Sequence, residues 1–249
     1  MTSLKSLVRA LLPRRVRPHR ILQGPIRGAW IVTSWHDYPA AIMGRTEPDL
    51  LEWFRQNVKP GETWLDVGAH YGYTAIALAK LVGSAGRVFA FEPSLSTAGF
   101  LDETRVLNGL DQIAVVPFAL GEPGDIRMVS VSVDRGMANH AFGGSRSANI
   151  YVVSLDHFWT ALGAPPIHGI KVDVQGMERG VVLGMLALLR KWQPKLIIEF
   201  HAGVDRISIL SSLATVGYQS AGVCLGAGEL HENRYEDDCS YLFLAKRVG

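Results

Sequence analysis

Cysteine is scarce in this chain, long apolar runs are missing, and the first 27 residues hold no acid. Cys224 and Cys239 have neither C-x-x-C spacing nor a His-Cys cluster beside them, which leaves no case for a zinc or redox centre. Two thiols in a chain of 249 residues fit a reducing cytoplasm. No apolar stretch approaches the ~18 residues that a bilayer span needs. Basic residues interleaved with aromatics, the footprint of nucleic-acid binding, are not spread across the chain. Repeats and low-complexity segments are absent too. With 48% hydrophobic and 19% charged residues, what remains is one globular domain with room for a large core.

The acid-free start is basic instead. Lys5, Arg9, Arg14, Arg15, Arg17, Arg20 and Arg27 stand against an acidic remainder, within a net charge of +2. Leu4, Leu7, Val8, Leu11 and Leu12 share one helical face ahead of Pro13. Residues 1–45 therefore read as a basic arm and hairpin, either solvated or in peripheral contact with an anionic surface. The apolar stretch is too short, and too interrupted by arginine, for a secretory signal.

Residues 63–80, TWLDVGAHYGYTAIALAK, carry most of the information. Trp64, Leu65 and Val67 form a short apolar strand around Asp66, and the run from Gly68 to Gly72 breaks it. Ile76, Leu78, Ala79 and Leu81 then resume with helical spacing. Strand, glycine turn and helix put backbone N–H groups and a helix N-terminus against a ligand. The next strand, RVFAF, runs into Glu92, about two dozen residues past Gly68 and near the spacing at which an acid reaches a ribose. The turn is G-x-x-x-G, whereas dinucleotide folds prefer G-x-G-x-x-G, and it lacks the Gly-Lys-Ser/Thr of a triphosphate loop. A wide turn preceded by an acid suits a ligand with a sulfonium, an ammonium and no phosphate. S-adenosylmethionine (SAM) is such a ligand.

The βα rhythm extends along the chain. The pattern predicts a hairpin over 20–43, a helix over 47–57 with Thr46 as N-cap, a helix over 96–107 and a strand over 113–117. Residues 121–149 break the rhythm with alternating Ile126, Met128, Val129, Val131 and Val133, then Gly143-Gly144-Ser145. This reads as an inserted hairpin and a loop over the site. A strand over 150–153, a helix over 154–162, a strand over 169–174, a helix over 176–190, a strand over 195–201 and a helix over 205–216 follow. Two strands close the chain, the last over 239–245 and antiparallel.

The blocks GRTEPDLLEWFRQNVKPGETWLDVGAHYGY, VFAFEPS, LNGL with VVPFALGE, VSLDHF, IKVDVQGMERGVVLGM and PKLIIEF, taken in order, resemble the FkbM-type SAM-dependent methyltransferases. The likeness runs from about Met43 to the C-terminus. It implies an α/β class I methyltransferase fold over 46–249, a Rossmann-like doubly wound sheet of seven strands in order 3-2-1-4-5-7-6 with the last one antiparallel. It also implies methyl transfer from SAM, most often to a hydroxyl of a sugar, glycan or secondary metabolite. At matching positions Asp66, Gly68, Ala69, His70, Gly72 and Thr74 would line the methionine part and Glu92 the ribose, with Phe118, Ala119 and Leu120 flanking the adenine. Two positions depart from the family. His70 stands where Asn is usual and contributes its backbone alone; Gln175 stands where Glu is usual, which removes a charge near the expected reaction centre.

Ligands of a parallel sheet sit beyond the carboxyl ends of its strands, where Asp173, Glu199 and His201 are expected to converge. For O-methylation these residues would align the acceptor hydroxyl and take its proton. His201 is the natural base because imidazole titrates near neutrality; Glu199 either orients it or is itself the base if burial raises its pKa. Structural alternatives stand beside these roles: Asp173 capping the helix that begins near Gly176, and Glu199 pairing with Lys171. A divalent metal on Asp173 and Glu199 is the less favoured use. An N-methyltransferase would show an Asn/Asp-Pro-Pro-aromatic run where this chain reads Asp173-Val174-Gln175-Gly176. The rivals to a methyltransferase are a catalytically degenerate scaffold of the same fold and an NAD-dependent oxidoreductase. Acceptor choice falls to the 121–149 insertion and the N-terminal hairpin, where Met137, Asn139, His140, Phe142 and Ser145 are candidates by position.

Overall fold

The computed structural model describes residues 11–134, 137–139, 146–219, 221–225 and 235–246. Two antiparallel strands, β1 (Arg17–Arg20) and β2 (Trp30–Thr33), precede two helices, α1 (Pro39–Met43) and α2 (Pro48–Asn57). The hairpin expected over 20–43 instead runs over 17–33, because Arg17 already pairs with Thr33, and 39–43 form the helix α1. Most of the apolar face expected ahead of Pro13 lies outside the described residues. Next come β3 (Thr63–Val67), α3 (Tyr73–Val82), β4 (Arg87–Phe91), α4 (Leu95–Leu107), β5 (Ile113–Val116) and β6 (Ala119–Leu120). The insertion supplies β7 (Arg127–Asp134), β8 (Met137–Asn139) and β9 (Arg146–Val153). The second half adds α5 (Leu155–Ala161), β10 (Gly169–Val172), α6 (Glu178–Leu183), α7 (Leu186–Trp192), β11 (Lys195–Phe200), α8 (Arg206–Thr215), β12 (Val223–Cys224) and β13 (Cys239–Phe243).

Seven strands form the main sheet in the order β12-β13-β11-β10-β3-β4-β5. Counted from β3, this is the expected 3-2-1-4-5-7-6, and β13 runs antiparallel to β11. Helices cover both faces, so the central strands are apolar on both sides, and every residue of β10 is buried. Alternation along β3 sends Trp64 into one core layer with Phe54 and Ile76, and Leu65 and Val67 into the other with Ile170 and Trp159. Each such large apolar side chain contributes roughly 1.5–3 kcal/mol on burial. Ile21, Ile31 and Ile42 join the first layer, so the N-terminal extension shares that core with α3. Cys224 and Cys239 are free thiols, Cys224 within the second layer. Among the described residues, no helix is long and apolar enough to cross a membrane.

Three more expected elements differ. The strand over 150–153 is the end of the longer β9, which pairs with β7 and β6 in a second sheet of order β6-β9-β7-β8. The alternation seen in β7 thus continues in its partner, and 150–153 belong to the insertion's hairpin. Of the acceptor candidates, Met137 and Asn139 fall in β8, while His140, Phe142 and Ser145 lie outside the described residues. The helix over 176–190 is two helices. Gly184 approaches the Gly121 carbonyl so closely that a Cβ there would lie 1.9 Å from the oxygen. The Asp156 carboxylate then accepts the amides of Ala187 and Leu188 at 3.0 and 2.8 Å, capping a fresh start. Finally, Thr46 is not the N-cap of α2. Glu47 takes that place at φ 48° with no side-chain cap bond, and Thr46 Oγ1 meets the Tyr38 hydroxyl at 3.3 Å.

Candidate active site

β3 carries the chain to the carboxyl edge of the sheet, and Gly68 turns it at φ 86°. A Cβ at that position would lie 1.7 Å from the Asp173 carbonyl oxygen, so only glycine lets the two chain segments come this close. The amides of Gly68 and Ala69 donate to the Phe91 carbonyl at 3.0 and 2.9 Å, and that of Gly72 to Ala69 at 2.8 Å. The His70 amide donates to Glu92 Oε2 at 3.0 Å. Against the expectation that this turn aims its N–H groups at a ligand, these four donors are satisfied inside the protein. A diphosphate would find no cradle in them.

A cavity of about 330 Å³ opens between this turn, the N-terminal extension, the second sheet and the ends of β4, β10 and β11. Gly68, Ala69, His70, Thr74, Glu92 and Ala119 stand on its wall, together with Phe118 and Leu120. Asp66 and Gly72 do not: they lie behind the wall. Fully buried Asp66 accepts the Thr74 hydroxyl at 2.6 Å and so positions a wall residue. Gly72 begins α3 at φ 90°, with Leu101 3.1 Å from where a Cβ would sit. His70, at φ 50°, gives more than the backbone expected of it. Its ring packs on Tyr38 and Tyr71 with centroids 5.0 and 4.3 Å apart. Glu92 is held by two amides, His70 on Oε2 and Ser94 on Oε1 at 2.9 Å, and burial pushes it up to about 8.

At the other end Asp173, Glu199 and His201 are brought within one small volume, His201 Nε2 lying 3.5 Å from Asp173 Oδ1 and 3.6 Å from Glu199 Oε1. Asp173 and Glu199 stand on the cavity wall, and His201 sits behind it. Asp173 caps no helix: α6 begins at Glu178 with Met177 as N-cap, and Asp173 Oδ2 accepts the Lys171 ammonium at 3.1 Å. The pairing of Glu199 with Lys171 is likewise replaced, since Glu199 Oε2 accepts the Ser240 hydroxyl at 3.2 Å. Burial, followed by the charge of Asp173, raises Glu199 to about 7. His201 Nδ1 lies 2.6 Å from Glu178 Oε1, and Nε2 lies 2.8 Å from the Gln175 side-chain amide. Burial opposes a charge on this ring, but the Glu178 bond and the nearby acids outweigh it and raise His201 to about 9.

Sequence reasoning misses Tyr38 and Glu47 on this wall and sees Lys171 only as a partner for Glu199. A lysine midway along an otherwise apolar parallel strand is the signal for Lys171, sharing a face with Asp173 two residues on. Glu47 leaves only a faint one, an acid directly before the proline that opens a helix.

The model of the methyltransferase FkbM domain matches residues 66–220, more than half of the chain. The chain belongs to the FkbM methyltransferase family. Among its relatives, the hexuronic acid methyltransferase AglP of Haloferax volcanii is 28% identical over 163 residues, 65% of each chain. The ribosomal protein L11 methyltransferase of Cupriavidus necator is 39% identical over 67 residues, 21% of this chain and 22% of that one. This FkbM-family chain thus spans less than two thirds of either relative. Two solved structures share the fold. Methyltransferase FkbM from Methylobacillus flagellatus superposes with a TM-score of 0.51 at 19% identity, over 78% of this chain and 50% of the other. Precorrin-6y C5,15-methyltransferase from Geobacter metallireducens does so at 0.50 and 12% identity, over 81% and 89%. The architecture is that of a class I methyltransferase.

Proposed function

We infer that this FkbM-family protein is a SAM-dependent O-methyltransferase acting on a hydroxyl of a sugar, glycan or secondary metabolite. One observation carries the reading. Asp37, Glu47, Glu92, Asp173 and Glu199 all face a cavity whose sole lysine or arginine, among the described residues, is Lys171, beside a turn whose Gly68, Ala69, His70 and Gly72 amides are already bonded within the protein. Such a site favours a cationic donor. Bound there, SAM supplies a methyl group activated by a sulfonium. Of the residues on the cavity wall, Thr74 and the Gly68–Ala69 backbone would hold its amino-acid end, Glu92 would take the ribose hydroxyls, and Phe118, Ala119 and Leu120 would flank the adenine.

Proton acceptance moves from His201 to Glu199. His201 faces Glu178 and holds its proton past neutrality, whereas Glu199 stands on the wall and titrates near pH 7, where a base is both available and strong enough. His201 is then a positioning residue that moderates the charge of Asp173 and Glu199. A divalent cation on Asp173, Glu199 and His201 does not fit, although their ligand atoms lie within 4.8 Å of one another. It would sit against the Lys171 ammonium, already 3.1 Å from Asp173, and it would need a His201 nitrogen that Gln175 or Glu178 engages.

The test is incubation of the purified protein with methyl-labelled SAM and a panel of hydroxylated acceptors, read by mass spectrometry. Uronic sugars come first, since the name of AglP places its acceptor in that class. A gain of one methyl supports the reading. SAM binding without turnover on any hydroxylated acceptor favours a scaffold, and NADH binding with none for SAM favours an oxidoreductase.

A further inference from the structure

Glu47 differs from every other acid on the cavity wall. Asp37 is bonded to Ser34 and Tyr71, Glu92 to two amides, Asp173 to Lys171 and Glu199 to Ser240. Among the described residues nothing hydrogen-bonds the Glu47 carboxylate. Its Oε2 is buried without a partner, 3.9 Å from the Lys171 ammonium, too far for a bond. Asp66 Oδ1, fully enclosed, is in the same condition at the same 3.9 Å from Lys171. Two enclosed carboxylate oxygens thus flank one ammonium whose hydrogen bond, among the described residues, goes to Asp173 Oδ2, while Asp173 Oδ1 is likewise buried without a bond.

A buried carboxylate oxygen left unbonded is costly unless something that donates arrives. The backbone shows that the arrangement is specific. Glu47 holds φ 48°, a conformation L side chains rarely adopt, immediately before Pro48. The polypeptide is bent there in a way that puts an acid against the cavity where capping by Thr46 would have needed none. A sulfonium has no hydrogen to donate, so it cannot satisfy Glu47; an ammonium has three. Glu47 also lies beside Lys171, which is in register with Asp66 at the centre of the sheet.

We propose that Glu47 binds the α-ammonium of the donor's amino-acid end, an inference that rests on the methyl-donor reading above. Burial first, and then the charges of Asp173, Glu199 and Asp66 against that of Lys171, push the empty carboxylate up to about 8, as expected of an acid awaiting a cation.

Three ligands and one variant test it by calorimetry. S-adenosylhomocysteine carries ammonium and carboxylate, its decarboxylated analogue only the amine, and 5′-methylthioadenosine neither. Glu47→Gln should weaken the first two by a similar factor, roughly 10- to 100-fold, the worth of one charge-assisted hydrogen bond. Binding of 5′-methylthioadenosine should stay within about twofold, which also shows that the variant is folded. Equal losses for all three ligands, or no loss for any, overturn the proposal. So does a loss for S-adenosylhomocysteine alone, which would assign Glu47 to the carboxylate through Lys171. Wild-type protein that binds none of the three defeats the methyl-donor reading itself.

Discussion

Glu92 and Glu199 are the same residue type at the same edge of one sheet, both enclosed and both titrating high, at about 8 and about 7. Their surroundings nevertheless give them different work. Glu92 has an amide on each oxygen, from His70 and Ser94, so its plane is fixed. Glu199 has one hydroxyl, Ser240 at 3.2 Å, and charged neighbours of both signs in Asp173, Lys171 and His201. Burial raises the proton affinity of either acid; anchoring decides whether the acid holds a shape or exchanges a proton. On the reading proposed above, Glu92 binds the donor and Glu199 takes the proton.

The strongest way to break that contrast is to neutralise each acid in turn. Glu199→Gln should lower kcat by about 100-fold or more, the usual contribution of a positioned base, while S-adenosylhomocysteine affinity measured by calorimetry stays within about twofold. Glu92→Gln should do the reverse, costing roughly 10-fold or more in that affinity. If both substitutions move the same parameter, the two ends do not differ in role.

Next in size is His201. Replacing it with Ala should reduce turnover about 10-fold and leave S-adenosylhomocysteine affinity intact, because it stands behind the wall and acts through its neighbours. The pH profile sharpens this. In the wild type kcat/KM should rise through about 7 as Glu199 loses its proton and fall above about 9 as His201 does. The variant loses a cation beside Glu199, so its rising limb should move to higher pH. Turnover and profile both unchanged would take His201 out of the mechanism.

The binding end is legible in sequence because its parts are nearly consecutive. Gly68, Gly72 and Glu92 belong to one strand-turn-helix-strand unit, and period-2 and period-3.6 patterns place them without tertiary knowledge. Even there, the direction of the amides is hidden, since it depends on the Phe91 carbonyl in the neighbouring strand. The remaining wall residues are assembled from distant segments. Glu47 comes from the start of α2, Glu199 from β11, and His201 meets Glu178 at the start of α6. Periodicity predicts Asp173, Glu199 and His201 near one another, but it cannot report that His201 meets a second, fully buried glutamate and so keeps its proton.

The smallest effect asks whether burial really is the shared cause. Glu92 and Glu199 have folded pKa values above their ordinary 4.5, so from about pH 4.5 to about 8 the native state holds more protons than the unfolded chain. More protons on the native side means that stability falls as pH rises through that window. His201 acts in the same direction: its contribution is complete below its ordinary 6.5 and is lost as pH rises through about 9. The melting temperature of the ligand-free protein should therefore drop between pH 6 and 9, at roughly 2–4 °C for each kcal/mol lost. Glu92→Gln and Glu199→Gln should each flatten that slope, because each removes one acid that burial penalises. If only Glu199→Gln flattens it, the two amides compensate Glu92 fully, and anchoring, beyond assigning its role, also cancels the cost of enclosing its charge.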